Sequence, residues 1–214
     1  MFFTPTAYYQ KPPTTPLILP EDTVLIGSQT WTSTNLDVDT YRDGTPIPQV
    51  TNPIAWAALT TGAWCYMDND PVNGAIYGKL YNWYAVAGID GTGTTRYLAP
   101  AGYHIPTYAD WGVVVNYLRL DGLNIDANKM KEIGNIHWAA PSAGTNTTGF
   151  TSLPGGYRTS TGTFTGMNQI FYTWNSDANS LTDARYVVHF SHASTTSFGV
   201  ITKKSGMSVR CILD

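Results

Sequence analysis

Tyr77-Gly78-Lys79-Leu80-Tyr81-Asn82-Trp83-Tyr84-Ala85-Val86 is the densest aromatic run in the chain. Tyr77, Leu80, Tyr81 and Tyr84 recur at i, i+3, i+4 and i+7, the spacing of one helical face, and Trp83 and Val86 widen the stripe. Gly88 stands where such a helix would stop, because glycine enters the left-handed conformation at little steric cost. The pattern predicts a buried helix over 77–86, its aromatic side chains supplying core.

Working outward, the 214-residue chain suits one large domain with an appendage. Charged residues make up 13% and the formal net charge is −3. That leaves neither a basic surface for nucleic acid nor an acidic tail. Seven Trp and fourteen Tyr stand among many Gly, Thr, Ser and Asn. This mix is closer to secreted, virion-surface or glycan-handling proteins than to cytosolic metabolic enzymes. No apolar run approaches the roughly 18 residues of a bilayer span, so membrane insertion is not expected. Cys65 and Cys211 allow one disulfide or a buried free pair.

Residues 1–22 differ from all that follows. Pro5, Pro12, Pro13, Pro16 and Pro20 forbid regular helix or central strand and favour extended chain. Phe2, Phe3, Tyr8, Tyr9, Leu17 and Ile18 are set among them, whereas solvated tails are poor in aromatics. The segment reads as an anchoring arm that docks on another virion or surface protein, or as a strap along its own domain. Met1-Phe2-Phe3-Thr4-Pro5-Thr6 lacks the basic and apolar regions of a secretory signal. Either the chain is a mature form, or it reaches the outside by another route, such as release of virus particles by lysis.

The globular part is expected over 23–214. Thr23-Val24-Leu25-Ile26 reads as a strand, then Gln29-Thr30-Trp31 and Asn35-Leu36-Asp37-Val38. Asn52-Pro53 starts a short helix carrying Trp56. In Thr107-Tyr108-Ala109-Asp110-Trp111 the threonine is an N-cap and Asp110 completes an approximate capping box. Trp111, Val114, Val115 and Leu118 form the buried face of this second helix, and Lys129–Ile133 adds a helical turn. Beyond Gly134 short strands and turns take over, including Ile170–Trp174, Tyr186–Phe190, Ser197–Ile201 and Ser208–Leu213. Two main helices among short antiparallel strands predict an α+β domain.

Several blocks together resemble the Fibrobacter succinogenes major paralogous domain family. They are Ile26-Gly27-Ser28-Gln29-Thr30-Trp31 with Asn35-Leu36, the aromatic run above, and Pro100-Ala101-Gly102-Tyr103-His104-Ile105-Pro106. Gly149-Phe150 through Leu153-Pro154-Gly155-Gly156-Tyr157-Arg158 and the ending Ser208-Val209-Arg210-Cys211 complete the set. The resemblance covers roughly residues 24–214. It implies a C-type-lectin-like fold, similar to formylglycine-generating enzymes and to the hypervariable receptor-binding proteins of phages. Such a fold hosts catalysis, sugar binding and protein binding alike, so the resemblance implies surface display rather than chemistry. The family commonly has a cysteine where this chain has Ala99. If that cysteine bridges the C-terminal one, Cys211 here is free or paired with Cys65.

Catalytic readings find little footing. An oxidase of the formylglycine-generating type needs a reactive thiolate in an exposed, electropositive setting, and neither cysteine neighbourhood suggests one. The chain has only Glu21 and Glu132 as glutamates, its aspartates sit mostly in turns, and no G-x-S-x-G elbow occurs. No enzyme is expected. Asp68 and Asp70 lie in a loop whose oxygen donors suit calcium, the one cofactor to consider. The polar stretch 175–196 is the better candidate surface, in the part of the fold where related phage proteins carry their ligand contacts. Trp174, Asn175, Asp177, Asn179, Arg185, His189 and His192 are its candidate ligand residues, and strand alternation puts Arg185 and His189 on the exposed face.

The expected function is a non-enzymatic, surface-displayed binding module on a virion (capsid decoration, tail or fibre) that takes a host-surface glycan or protein. The alternatives are a purely structural decoration protein and a bacterial cell-surface or extracellular adhesin-like protein, with a homo-oligomer left open.

Overall fold

The computed structural model describes residues 22–214. The arm expectation on Phe2, Phe3, Tyr8, Tyr9, Leu17 and Ile18 lies outside them. The rest is an α+β domain, as the sequence predicts. β1 (Thr23–Ile26) and β2 (Gln29–Thr32) form a hairpin in a sheet ordered β1-β2-β12-β5, with β5 at Tyr103–His104 and β12 at Ile212–Leu213. A larger sheet runs β10-β9-β8-β6-β11-β4-β3. Its strands are β3 (Trp64–Cys65), β4 (Leu80–Asn82), β6 (Gly155–Arg158), β8 (Ile170–Ala178), β9 (Asp183–Phe190), β10 (Ser197–Thr202) and β11 (Gly206–Met207). β7 (Phe164–Met167) pairs with β6 off this path. Pairings are antiparallel except β6 with β8.

The aromatic run is not one helix, which corrects the reading of its periodicity. Tyr77 closes α2 (Pro71–Tyr77), Leu80–Asn82 is the central strand β4, and only Trp83–Val86 turns helical, as α3. Two local features cut the pattern. Gly78 sits at φ 71°, packed against Leu36 and Asn35, so the helix cannot continue through it. The Asn82 side chain then accepts from Ala63 N and from Ala85 N, each at 3.0 Å, fixing β4 to its neighbour and capping α3. Leu80, Tyr81 and Asn82 are all buried, and periodicity cannot tell a strand covered on both faces from a buried helical segment.

Other elements follow the sequence more closely. α1 (Pro53–Ala58) starts at the Asn52 cap, and α4 (Tyr108–Leu118) is the one long helix among the described residues, with both hydrogen bonds of the Thr107–Asp110 capping box formed. α5 (Asp126–Met130) begins upstream of the turn expected at Lys129–Ile133. Asn35–Val38 is a loop rather than a strand, tied through Leu36 N to Val209 O at 2.8 Å.

Apolar clusters lie on both faces of the large sheet. One holds Trp64, Tyr81, Trp83, Trp174 and Met207, and another sits under α4 with Trp31, Trp111, Trp138, Phe150 and Phe171. Several cations are buried without a carboxylate and serve backbone carbonyls instead. Arg158 donates to Val50, Thr51 and Gly162, and Lys131 to Phe190, Ser191 and Ala193. Loop carbonyls inside a protein need donors, and these side chains supply several each. Burial pulls the Lys131 ammonium down to about 8.

Candidate functional site

The structure divides the expected ligand residues. Trp174, Asn175 and His189 are wholly buried, which corrects their assignment to the surface. Trp174 Nε1 donates to Tyr81 O at 2.8 Å, and Asn175 O accepts from Trp83 Nε1 at 2.9 Å. His189 lies between Ser152 Oγ (3.0 Å) and Thr196 Oγ1 (3.2 Å), 5.3 Å from the Phe171 ring. The β9 face expected to be exposed is therefore the one packed under α4, while Tyr186 on the other face is half-buried against Tyr172. Alternation misled because this strand carries core on both sides. Burial, then the nearby Lys131 charge, lowers His189 to about 3. Ser152 and His189 are both wholly buried, so the pair has no surface to offer a substrate.

Asn179 and His192 are exposed, the latter stacked on Phe190 at 5.5 Å. Asp70 is the N-cap of α2, accepting from Val72 N at 2.8 Å, and Asp68 is exposed at φ 55° in the preceding turn. No group of three or more His, Cys, Asp or Glu side chains able to hold a metal ion occurs among the described residues. Cys65 and Cys211 are free and buried, and desolvation pushes both thiols up to about 12.

Asp177 and Arg185 do come together, at the start of α4. The Asp177 carboxylate accepts from Tyr108 N, adding to the Thr107 cap, and the Arg185 guanidinium stands 5.0 Å from the Tyr108 ring centre. Tyr108 is 45% exposed and meets Phe198 edge-on at 5.0 Å. Val200, opposite Arg185 in the β9–β10 register, is exposed beside them.

A cavity of about 370 Å³ adjoins this cluster, sharing the Thr107 and Ser176 neighbourhood. Ser176 N donates to Pro106 O at 2.9 Å, tying β8 to the start of α4. Val86, Leu98 and Ile105 give the cavity an apolar floor. At its mouth Tyr97, 63% exposed, lies 5.0 Å from the Arg42 guanidinium. Arg42 is itself held by the carbonyls of Ala99 (2.9 Å), Pro100 (2.8 Å) and Tyr103 (2.8 Å). His104 closes one side, its Nδ1 2.7 Å from Asp214 Oδ1 and its Nε2 3.5 Å from Asp110 Oδ2. An apolar floor, exposed aromatics and a few convergent polar groups are what small-ligand sites offer.

Tyr97, Tyr108, Arg42 and His104 were not among the ligand residues expected from sequence. Tyr108 carried a usable signal: an aromatic at the first position of a well-capped helix points away from the buried stripe. Tyr97 had none, because its loop shows no periodicity. No helix among the described residues is long and apolar enough to cross a membrane. The chain belongs to the Fibrobacter succinogenes major domain family, whose sequence model matches residues 24–213. No curated protein and no solved structure matches it.

Proposed function

We propose that the chain is a non-enzymatic binding module displayed on a virion surface, which recognises a host-surface glycan. The observation that carries this reading is the face around the start of α4. Two exposed tyrosines, Tyr97 and Tyr108, flank an apolar-floored cavity edged with hydrogen-bonding groups. Tyrosines of this kind stack on sugar rings at small entropic cost, and polar neighbours adapt to hydroxyls. Family membership and the Tyr-, Thr- and Asn-rich composition agree with display outside the cell, and the resemblance to phage proteins favours the virion over the bacterial envelope. Against oxidase chemistry stand the two buried thiols, which are protonated at neutral pH.

A glycan array with the intact chain tests the reading. Binding to at least one class of host-surface glycan, lost in Tyr97→Ala and Tyr108→Ala with folding intact, is the expected result. Silence on every glycan and on host cells would favour a purely structural decoration protein.

A further inference from the structure

Arginines in this protein are almost all spent on the fold. Arg42, Arg158 and Arg210 donate to backbone carbonyls, Arg96 pairs with Asp43 and Asp90, and Arg119 holds Asp126 at 2.7 Å. Arg185 differs. Among the described residues it makes no hydrogen bond and no ion pair, and its guanidinium rests on the Tyr108 ring. The residue is half-buried, and none of its nitrogens is both fully buried and without a partner.

A guanidinium laid on an aromatic ring is oriented in advance and keeps its planar fork free for an oxyanion. The neighbouring carboxylates have partners of their own. Asp177 is engaged by Tyr108 N, and Asp183 by the Ser180 and Thr182 hydroxyls at 3.1 and 3.0 Å. Around the fork lie the exposed edge of Tyr108, half-buried Phe198 and exposed Val200, apolar surface suited to the C–H face of a sugar ring. The chain's net charge of −3 supplies no general attraction for anions, so recognition of one here has to be local.

We propose that Arg185 is the acid-recognition point of the binding face, taking the carboxylate of an acidic sugar whose ring rests on Tyr108, Phe198 and Val200. This rests on the reading of the protein as a glycan-binding module and adds the ligand's charge class to it. Bidentate guanidinium–carboxylate pairing fixes the sugar's orientation as well as its charge.

The test compares oligosaccharides ending in glucuronate or N-acetylneuraminate with neutral counterparts of equal length, titrated against the intact chain and against R185M and R185K. Acidic probes are expected to bind roughly ten- to a hundredfold more tightly, the size of one charge-assisted pair. R185M should lose that preference with a thermal midpoint lowered by no more than about 2–4 °C, the size of the lost Tyr108 contact, and R185K should recover part of it. Neutral probes bound as tightly as acidic ones, or R185M binding like the parent chain, would overturn the inference alone. Sodium acetate competing as well as the acidic oligosaccharide would also overturn it, by leaving the sugar ring without a role. Absence of binding to any glycan would overturn both this inference and the binding-module reading.

Discussion

The Arg210 guanidinium lies 4.4 Å from the centre of the Phe150 ring and donates to the Phe150 carbonyl at 2.9 Å. It also reaches Thr32 O at 2.8 Å, Thr151 O at 3.0 Å and Asn35 Oδ1 at 2.7 Å. One side chain thus stitches the first hairpin, the loop after it and the 150–151 segment to the C-terminal stretch. Arg210→Met leaves these acceptors buried without donors. We expect a loss of about 3–5 kcal/mol, read as a fall in the urea midpoint at constant slope. Arg210→Lys should recover only part, because an ammonium cannot span the same acceptors. A midpoint unchanged in Arg210→Met would refute the stitching role.

Gly156 is required for two separate reasons. Its φ is 63°, and a Cβ there would stand 2.4 Å from Thr165 O and 2.7 Å from Met167 N, both backbone atoms of β7. Gly102 shares the positive φ, at 80°, but a Cβ there meets nothing within 4 Å. Gly102→Ala should cost about 1 kcal/mol and Gly156→Ala about 3 kcal/mol or more. Equal costs in thermal melts would mean that β6 and β7 can part to accept the methyl group.

The capping box of α4 offers a smaller, cleaner effect. Thr107→Ala removes the acceptor for Asp110 N at 3.1 Å, and with it one side of the box. The expected cost is about 1 kcal/mol, or roughly 2–4 °C in Tm for a domain of this size. Because Asp177 also caps Tyr108 N, Thr107→Ala with Asp177→Ala should cost more than the sum of the two singles. Strict additivity would show that the two caps act independently.

What the sequence disclosed follows from how local each signal is. The Thr107 cap, the Asn52 start and the Trp111–Leu118 stripe depend on neighbours a few residues away, and all stand as read. The aromatic run failed because Gly78 and Asn82 act through tertiary partners, Leu36 and Ala63, which no local pattern reveals. His189 failed for the same kind of reason: core lies on both faces of β9, so alternation carries no information about exposure. Of the binding face, Arg185 and Asp177 were legible as polar residues of the C-terminal third. Tyr97 and the His104 cluster were not, since the face is assembled from loops far apart in the chain.

Cys65 and Cys211 are fully buried and their thiols are raised to about 12 by desolvation. Thiolate is the reactive form, so a disulfide-exchange reagent at pH 8 should modify neither residue in the native protein. Both should react at once in denaturant. Rapid labelling of either thiol in the folded chain would contradict its burial and reopen thiol chemistry.

His189 makes acid stability the most direct check on the inner face of β9. Its folded pKa is about 3 against an ordinary 6.5, lowered by burial and by Lys131. Above pH 6.5 the imidazole is neutral in folded and unfolded chains, and its contribution is complete. As pH falls from 6.5 toward 3, the unfolded state takes up a proton that the folded state refuses, so unfolding becomes steadily easier. At about 1.4 kcal/mol per unit, the full window is worth roughly 5 kcal/mol. His189→Gln removes the titrating group and should flatten the slope between pH 6.5 and 5, where carboxylates are still ionised in both states. Its stability at pH 7.5 should drop, because the Ser152 and Thr196 hydroxyls lose their shared partner. The same pH slope in the variant and the parent would place His189 in water, with the exposed face of β9 where alternation first put it.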